Sequence, residues 1–521
     1  MNILISLVVV LVGWISVGDI KANADVHQQE IETVTLLFTN DFESTYDPVM
    51  AFWRDDMTRI GGVAELATLI DQIRNTEPNV FLFDSGDIFT GTLAKLTLGE
   101  VSLELMLSMG YDAMAVGNHE FEYGWEEFAK QQYRVPFPVL GANLFYQGTT
   151  IPYTRPYTVI ERGGVRIGVI GILGQDAATA LIPSHIAGVE VIDPVIAVKE
   201  ALDDLRKDVD ITVLLTHQGK TAPMQTDDTA PDVKRDIDAD LRLAGAVKGI
   251  DVLFGGHADA GTEEPVVHPH TGTLIMQTYG QGFHLGYLKL TIDKTTGKII
   301  SHEGRLIPVD SDKLEPHPVV AKKLAEYRSQ FPELYTLIGM TEGRMNRRYN
   351  EESDVGNLFA DILREATAAQ ISLINSGALR RDLPQGQIRR IDLLDVFPFT
   401  DHVVTLTFTG KQLREVLEQS LSLERGILQV SGLKVAYDLG KPEGHRVVSV
   451  NVGNQPMDMD TEYNVATIDV IAQGGDLYRT ATQATNVERS DRAFSDVLEA
   501  YFQEHAVVKI PRGGRLINKS K

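Results

Sequence analysis

No cysteine occurs among the 521 residues. That excludes disulfide bonds and any lipid anchor attached through a cysteine. Positive charge is also scarce: 48 Lys and Arg stand against 72 Asp and Glu, a formal net charge of −24. A surface of that sign repels polyanions, which argues against general binding of nucleic acid polymers. A small anionic substrate needs a local cationic site to overcome the field. Beyond the N-terminus no apolar run is long enough to cross a bilayer, and no repeat or low-complexity segment is evident. Extensive disorder is not expected either, because 43% apolar and 23% charged residues are ordinary globular values.

What is present begins with one long apolar run, ILISLVVVLVGWISV, followed by KANAD. Small residues at Ala22 and Ala24 make residues 1–24 a signal peptide cut after Ala24. No Lys or Arg precedes the run, and the alternative is a retained anchor helix. Cleavage removes Asp19 and Lys21, so the net charge stays at −24. Export of a cysteine-free chain suits a periplasmic or secreted location, with no stable membrane span after cleavage.

A chain of this length exceeds one ordinary core, so at least two domains are expected. From Thr33 onward, short apolar β-rich runs end in polar residues: TVTLLFTND, NVFLFDSGD, AMAVGNHE, RIGVIGILG, ITVLLTHQG and DVLFGGH. Amphipathic stretches such as GGVAELATLIDQIRN lie between them. Strands alternating with helices predict an α/β layered domain, taken as residues 31–310. The segment PHPVVAKKLAEYRSQF predicts a helical connector within 311–340. A second α/β unit follows over 341–517, with a helix in SDVGNLFADILREATAA, a strand running to a loop in ISLINSG, and a Gly-rich turn in AQGGD.

In open α/β sheets, ligand sites gather at the carboxyl ends of the strands. Five such ends here carry Asp41 with Glu43, Asp87, Asn118 with His119, His217, and His257 with Asp259. Carboxylates, imidazoles and an amide oxygen are the donor set for hard to borderline divalent ions. Two such ions suit phosphate-ester hydrolysis, because they make water acidic and clamp phosphoryl oxygens. One carboxylate must bridge them, and Asp87 in DSGD is the natural choice. Each piece alone is weak, since an Asp after a strand is more often a turn or cap residue. Joint order and spacing carry the reading.

The blocks FTNDFES, DSGDIFTG, GNHEFEYG, LLTHQG and FGGHADAG resemble those of calcineurin-like metallophosphoesterases, and more closely the secreted 5′-nucleotidase and UDP-sugar hydrolase family. ESDVGNLFADIL, INSGALR, DVFPFTDHVVTLTFTGKQL, LQVSGLKVAYD and AQGGDLY resemble that family's C-terminal nucleotide-binding domain. The resemblance implies a metallophosphoesterase sandwich joined to an α/β substrate-binding domain. It implies one ion held by Asp41, Glu43, Asp87 and Asp259, and another by Asp87, Asn118, His217 and His257. It places His119 over the phosphate, with Glu122 orienting it. It assigns Asn375, Arg380, Phe399 and Asp476 to the nucleotide. Arg347 and Arg348, just before the helix near Ser353, are the nearest further cations.

Two departures qualify the resemblance. The family carries His at the position of Glu43, and His, Gln or Asn at that of Asp259. The first ion would then be ringed by oxygen, favouring Mn, Mg or Ca over Zn. The family sandwiches the base between two aromatic rings, but Val470 stands where the second would be, so stacking should be permissive. The expectation is a two-metal phosphohydrolase acting on nucleoside monophosphates or related esters, its two halves closing by a hinge between Pro316 and Pro332. The alternatives are a UDP-sugar or cyclic-nucleotide phosphodiesterase, or a non-catalytic nucleotide-binding protein with a decayed metal site.

Overall fold

A computed structural model describes residues 30–51, 54–205, 208–219 and 236–520. The segment read as a signal peptide lies outside the described residues. Two six-stranded sheets form the first half of the chain. In one, Ile31–Thr39 runs parallel to Val80–Asp84, which runs parallel to Ala113–Ala115, followed by Val139–Leu140. The hairpin His284–Asp293 and Lys298–Pro308 completes its other edge antiparallel. In the second sheet, Ile211–Gln218 lies between two parallel neighbours, Val165–Leu173 and Val252–His257.

Alternation along the strands explains the layering. Val34, Leu36 and Phe38 point inward and meet Val213, Leu215 and Phe254 of the other sheet in one dry core. The rings of Phe38 and Phe254 stack across the two sheets with centroids 4.0 Å apart. The opposite faces bury residues such as Leu37 and Leu82 under helices Val63–Arg74 and Glu100–Met109. Leu214 and Leu253 pack toward Pro194–Leu205 and Asp238–Ala246. The result is a four-layer sandwich of helices, sheet, sheet and helices. Its parallel strands deliver their carboxyl ends to one edge.

Helix Pro318–Ser329 starts on a proline, which suits a first helical turn because the missing N–H would have no partner there. Val320, Leu324 and Tyr327 bury it against the sandwich, and Leu334 is the last buried residue of that core, against which Ile391 and Leu394 also pack. Ile338 already belongs to the next core. The expected hinge between Pro316 and Pro332 therefore coincides with a helix that is packed down.

The second half centres on a five-stranded sheet in the order Leu428–Ser431, Ile371–Asn375, Glu462–Ile468, His402–Thr409, Thr485–Ala493. Helix Asp354–Thr367 shows why its sequence is helical. Val355, Leu358, Phe359, Ile362 and Leu363 fall on one buried face, and the Ser353 hydroxyl caps it by accepting from Gly356 N–H at 3.0 Å.

Candidate metal centre and nucleotide cavity

The strand ends do more than bring ligands near one another. Asp41, Glu43, Asp87, His257 and Asp259 all have positive φ, between 45° and 71°. An L-residue in that left-handed region costs about 1–2 kcal/mol, so five together mark a place where geometry is held against local preference. The twist turns each side chain off its strand and into the space between the sheets' ends. Backbone bonds lock the loops together: Asp41 N–H donates to Gly86 O and Glu43 N–H to Asp87 O, each at 2.9 Å. Glycine is required where loops touch. A Cβ on Gly117 would lie 2.3 Å from Asp87 Oδ1, and one on Gly280 (φ 78°) would lie 2.3 Å from Asp259 Oδ1.

At the centre, His217 Nδ1 lies 2.8 Å from Ser85 O, an arrangement that places the proton on Nδ1. Its Nε2 lies 3.0 Å from Asp87 Oδ2 and 3.1 Å from Asn118 Oδ1. The Asn118 amide is oriented by its own Nδ2, which donates to Ala180 O at 3.2 Å. Carboxylate, amide oxygen and imidazole nitrogen thus converge on a point that calls for positive charge. A proton on Nε2 meets that call: burial works against a charged His217, but Asp87 and Asp41 outweigh it and raise its pKa to about 10. A metal ion bound there would take the place of that proton. Burial, and then the Arg425 guanidinium, hold His257 well below the usual imidazole range, as a ligand requires. Burial, with Asp87 and Glu43 nearby, pushes Asp41 up to about 7, so added positive charge would relieve it. The residues fit a divalent ion.

The two expected ion sites are not equally assembled. Among the described residues, Asp87, His217 and His257 offer ligand atoms within 4.8 Å of one another. Glu43 instead turns Oε1 to Arg380 Nη1 at 2.9 Å, across from the second half of the chain. The all-oxygen site is therefore the looser one here.

His119 Nδ1 lies 3.2 Å from Glu122 Oε2, and its backbone N–H donates to Asp87 Oδ1 at 2.8 Å. Burial lowers its pKa, but Asp87 and Glu122 raise it further, to about 9. Arg380 Nη2 reaches His119 Nε2 at 3.1 Å, so Nε2 is the atom facing the cavity.

One cavity is lined by Asp41, Glu43, Asp87, Asn118, His119, Glu122, His257 and Asp259 from the first half. Asn375, Arg380, Phe399, Val470 and Asp476 line it from the second. His217 sits fully buried behind Asp87. Asn375 Nδ2 donates to Asp476 Oδ2 at 2.6 Å, and Arg380 lies over the Phe399 ring, 5.3 Å from its centroid.

Arg347 and Arg348 are not brought into the lining of this cavity, where Tyr349 stands. Arg347 is buried, and its backbone N–H donates to Asp382 Oδ1 at 2.8 Å. Sequence reading missed Arg425, whose Nη1 lies 2.9 Å from His257 Nε2 and whose Nη2 donates to Asp176 O at 2.8 Å. Its loop, LERGILQVSG, carries no periodicity that would single it out. Also missed was Glu120, whose carboxylate accepts from Gly117, Asp87 and Ile88 N–H groups and so ties two ligand loops together. The signal for it was its place in GNHE.

Residues 20–258 match the family model for calcineurin-like phosphoesterase. With the sandwich and this donor set, they define the class: a metal-dependent phosphoester hydrolase. Residues 334–483 match the model for the 5′-nucleotidase C-terminal domain. A snake venom 5′-nucleotidase of Naja atra is 30% identical, covering 80% of this chain and 85% of its own length. The 5′-nucleotidase of Diplobatis ommata is 29% identical over 93% and 89% of the two chains. The crystal structure of a Thermus thermophilus 5′-nucleotidase precursor superposes with a TM-score of 0.83 at 27% identity, covering 94% of this chain and all of that one. The chain belongs to the 5′-nucleotidase family.

Proposed function

We propose that the protein is an exported, two-metal 5′-nucleotidase that releases phosphate from nucleoside monophosphates and related esters. The observation that carries this is the single cavity in which a metal-ligand set and the side chains Asn375, Arg380, Phe399 and Asp476 meet. A metal-binding catalytic unit (31–310) and a substrate-binding unit (341–517) closed on each other account for it. The pivot is best placed after Leu334, where one core ends and the next begins. Export rests on the N-terminal apolar run and agrees with a venom relative.

Asp87, Asn118, His217 and His257 would hold one ion, and Asp41, Glu43, Asp87 and Asp259 another, of oxygen-preferring character. When bound, the ions supply Lewis-acid charge and an acidified water. The chain's own residues do the rest. His119 holds a proton at Nε2, facing the phosphoryl group and its leaving oxygen, while Glu122 fixes the ring and sustains its basicity. Arg380 lets go of Glu43 and His119 to neutralise phosphoryl oxygens. Asp476, steadied by Asn375, accepts from ribose hydroxyls, and Phe399 stacks on the base. Arg425 favours a second reading, a diphosphate ester such as a UDP-sugar, because it adds another guanidinium at the metal end. The His119–Glu122 pair argues against a purely binding role, which needs no proton donor. A Thermus thermophilus sulfate thiohydrolase shares the fold at 19% identity, so fold alone does not choose the ester.

A phosphate-release screen over nucleoside monophosphates, cyclic nucleotides and UDP-sugars, with Mn, Mg, Zn and Ca in turn, tests the proposal. Release from monophosphates with an oxygen-preferring ion is expected. Release only from esters without a nucleobase, or none, would overturn it.

A further inference from the structure

Residues 176–184 of the first half serve both halves at once through main-chain carbonyls. Ala180 O accepts from the Asn118 side-chain amide at 3.2 Å and so fixes the orientation of that metal-end residue. Thr179 O, one peptide earlier, accepts from the Asp476 N–H at 3.2 Å. Asp176 O accepts from Arg425 Nη2 at 2.8 Å. The foot of the segment is bonded to a second ligand strand, with Gly174 N–H donating to His217 O at 2.7 Å. Peptide groups are rigid and planar, so a shift of Thr179 O carries Ala180 O with it. The side chains straddle the same boundary. Leu181 is buried in the core of the first half, and Ile182, 6% exposed, is buried in the core of the second. Among the described residues, Ile182 is the one buried side chain of the first half that belongs to that second core. Ser184 Oγ adds a bond to Gln473 Oε1 at 3.0 Å. Gly475 permits the close approach, because a Cβ there would lie 2.9 Å from Leu181 O. A segment that only filled an interface would pack side chains. This one has alanine at Ala177, Ala178 and Ala180, and commits its carbonyls to a metal-end amide and to the residue assigned to the ribose.

We propose that residues 176–184 are a positioning element, anchored by Ile182, through which a nucleoside held at Asp476 steadies Asn118 at the metal end. The inference rests on the nucleotide reading above. Ile182 seats the segment on the second half. A ligand that firms the grip at Asp476 therefore firms Thr179 O, and with it Ala180 O and the Asn118 amide. Linkage of this kind is reciprocal: the nucleoside tightens the ion beside Asn118, and the ion tightens the nucleoside by the same factor. A phosphate ester without a ribose would reach the metal end without that assistance.

Adenosine, which has no phosphate to touch an ion, is the probe. Mn is titrated calorimetrically into the full chain stripped of metal, with and without saturating adenosine. Adenosine should lower the Kd of the tighter Mn site about 5-fold or more, the lower end of the usual coupling between sites. Ile182→Ala empties the seat in the second core and should cut that factor to less than about 2-fold, whereas Ile182→Val keeps most of the side chain and should retain it. Circular dichroism checks that both variants are folded. The unaltered protein already decides the first point: if it hydrolyses AMP but its Mn affinity ignores adenosine, the proposal is overturned. An adenosine effect of the same size in folded Ile182→Ala would overturn it too, because the coupling would then run by another route. No phosphate release from AMP by the unaltered, metal-replete enzyme would instead refute the 5′-nucleotidase reading itself.

Discussion

The metal end and the nucleotide end of the one cavity are built on different principles. At the metal end, ligands stand on five strand termini, with Asp41, Glu43, Asp87, His257 and Asp259 in left-handed backbone positions and loops bonded to each other through main-chain groups. Around Asp87 the ligands are held: the His217 ring is fixed by Ser85 O, the Asn118 amide by Ala180 O, and the Asp87 loop by Glu120. At the nucleotide end, side chains come from separate loops and hold one another in pairs, as Asn375 holds Asp476. Convergent lone pairs around an ion demand particular atoms at particular points. A base and a ribose accept many arrangements.

The steepest contrast should come from His119→Ala. It sits at the metal end but is not assigned as a ligand, so turnover should fall about 100- to 10,000-fold while metal content, measured by elemental analysis, stays unchanged. Loss of metal together with activity would make His119 structural.

Next in size is Arg380→Ala against Arg347→Ala and Arg348→Ala. Arg380 touches both Glu43 and His119, whereas the other two do not line the cavity. Arg380→Ala should lower kcat/KM for AMP about 10- to 100-fold, in keeping with a charged hydrogen bond to phosphate. Arg347→Ala and Arg348→Ala should change KM by less than about 2-fold, unless Arg347→Ala unfolds the protein, which circular dichroism would reveal. Equal effects from all three would erase the distinction drawn between them.

Much of the metal end was legible because strand periodicity and strand termini are written in short, local patterns. TVTLLFTND and ITVLLTHQG each announce a buried strand and a polar exit. At the nucleotide end Asn375, Arg380, Phe399 and Asp476 were legible only through the family resemblance, and the structure brings all four to the one cavity. A charged pair before a helix, such as Arg347 and Arg348, reads alike in sequence whether or not it lines a cavity, and these two do not line this one. Arg425 was missed because contacts across two halves of a chain, such as Arg425 with His257 at 2.9 Å, leave no mark in local spacing. The engagement of Glu43 by Arg380 was invisible for the same reason.

Glu122→Gln sharpens the comparison through pH. Asp87 and Glu122 both raise the pKa of His119. Removing one carboxylate charge lowers that pKa, so the protonated, donating form is lost at a lower pH. The alkaline limb of the kcat/KM profile should move down by about one unit, while the protonated fraction at neutral pH, and with it this contribution to kcat, changes little. An alkaline limb that stays in place would detach Glu122 from His119.

The smallest effect is expected from Val470→Phe. A second ring opposite Phe399 should lower KM for nucleoside monophosphates about 3- to 10-fold and leave kcat within 2-fold, roughly, because stacking is made in ground and transition states alike. An unchanged KM for every nucleotide would mean that the base does not pass between these positions.

The central claim is that Asp87 joins two ions at one cavity. Anomalous diffraction from crystals soaked in Mn tests it most directly. Two peaks about 3.5–4 Å apart, one beside Asp87, His217 and His257 and the other beside Asp87 and Asp41, are the predicted result. A single peak, or density away from Asp87, would contradict the account.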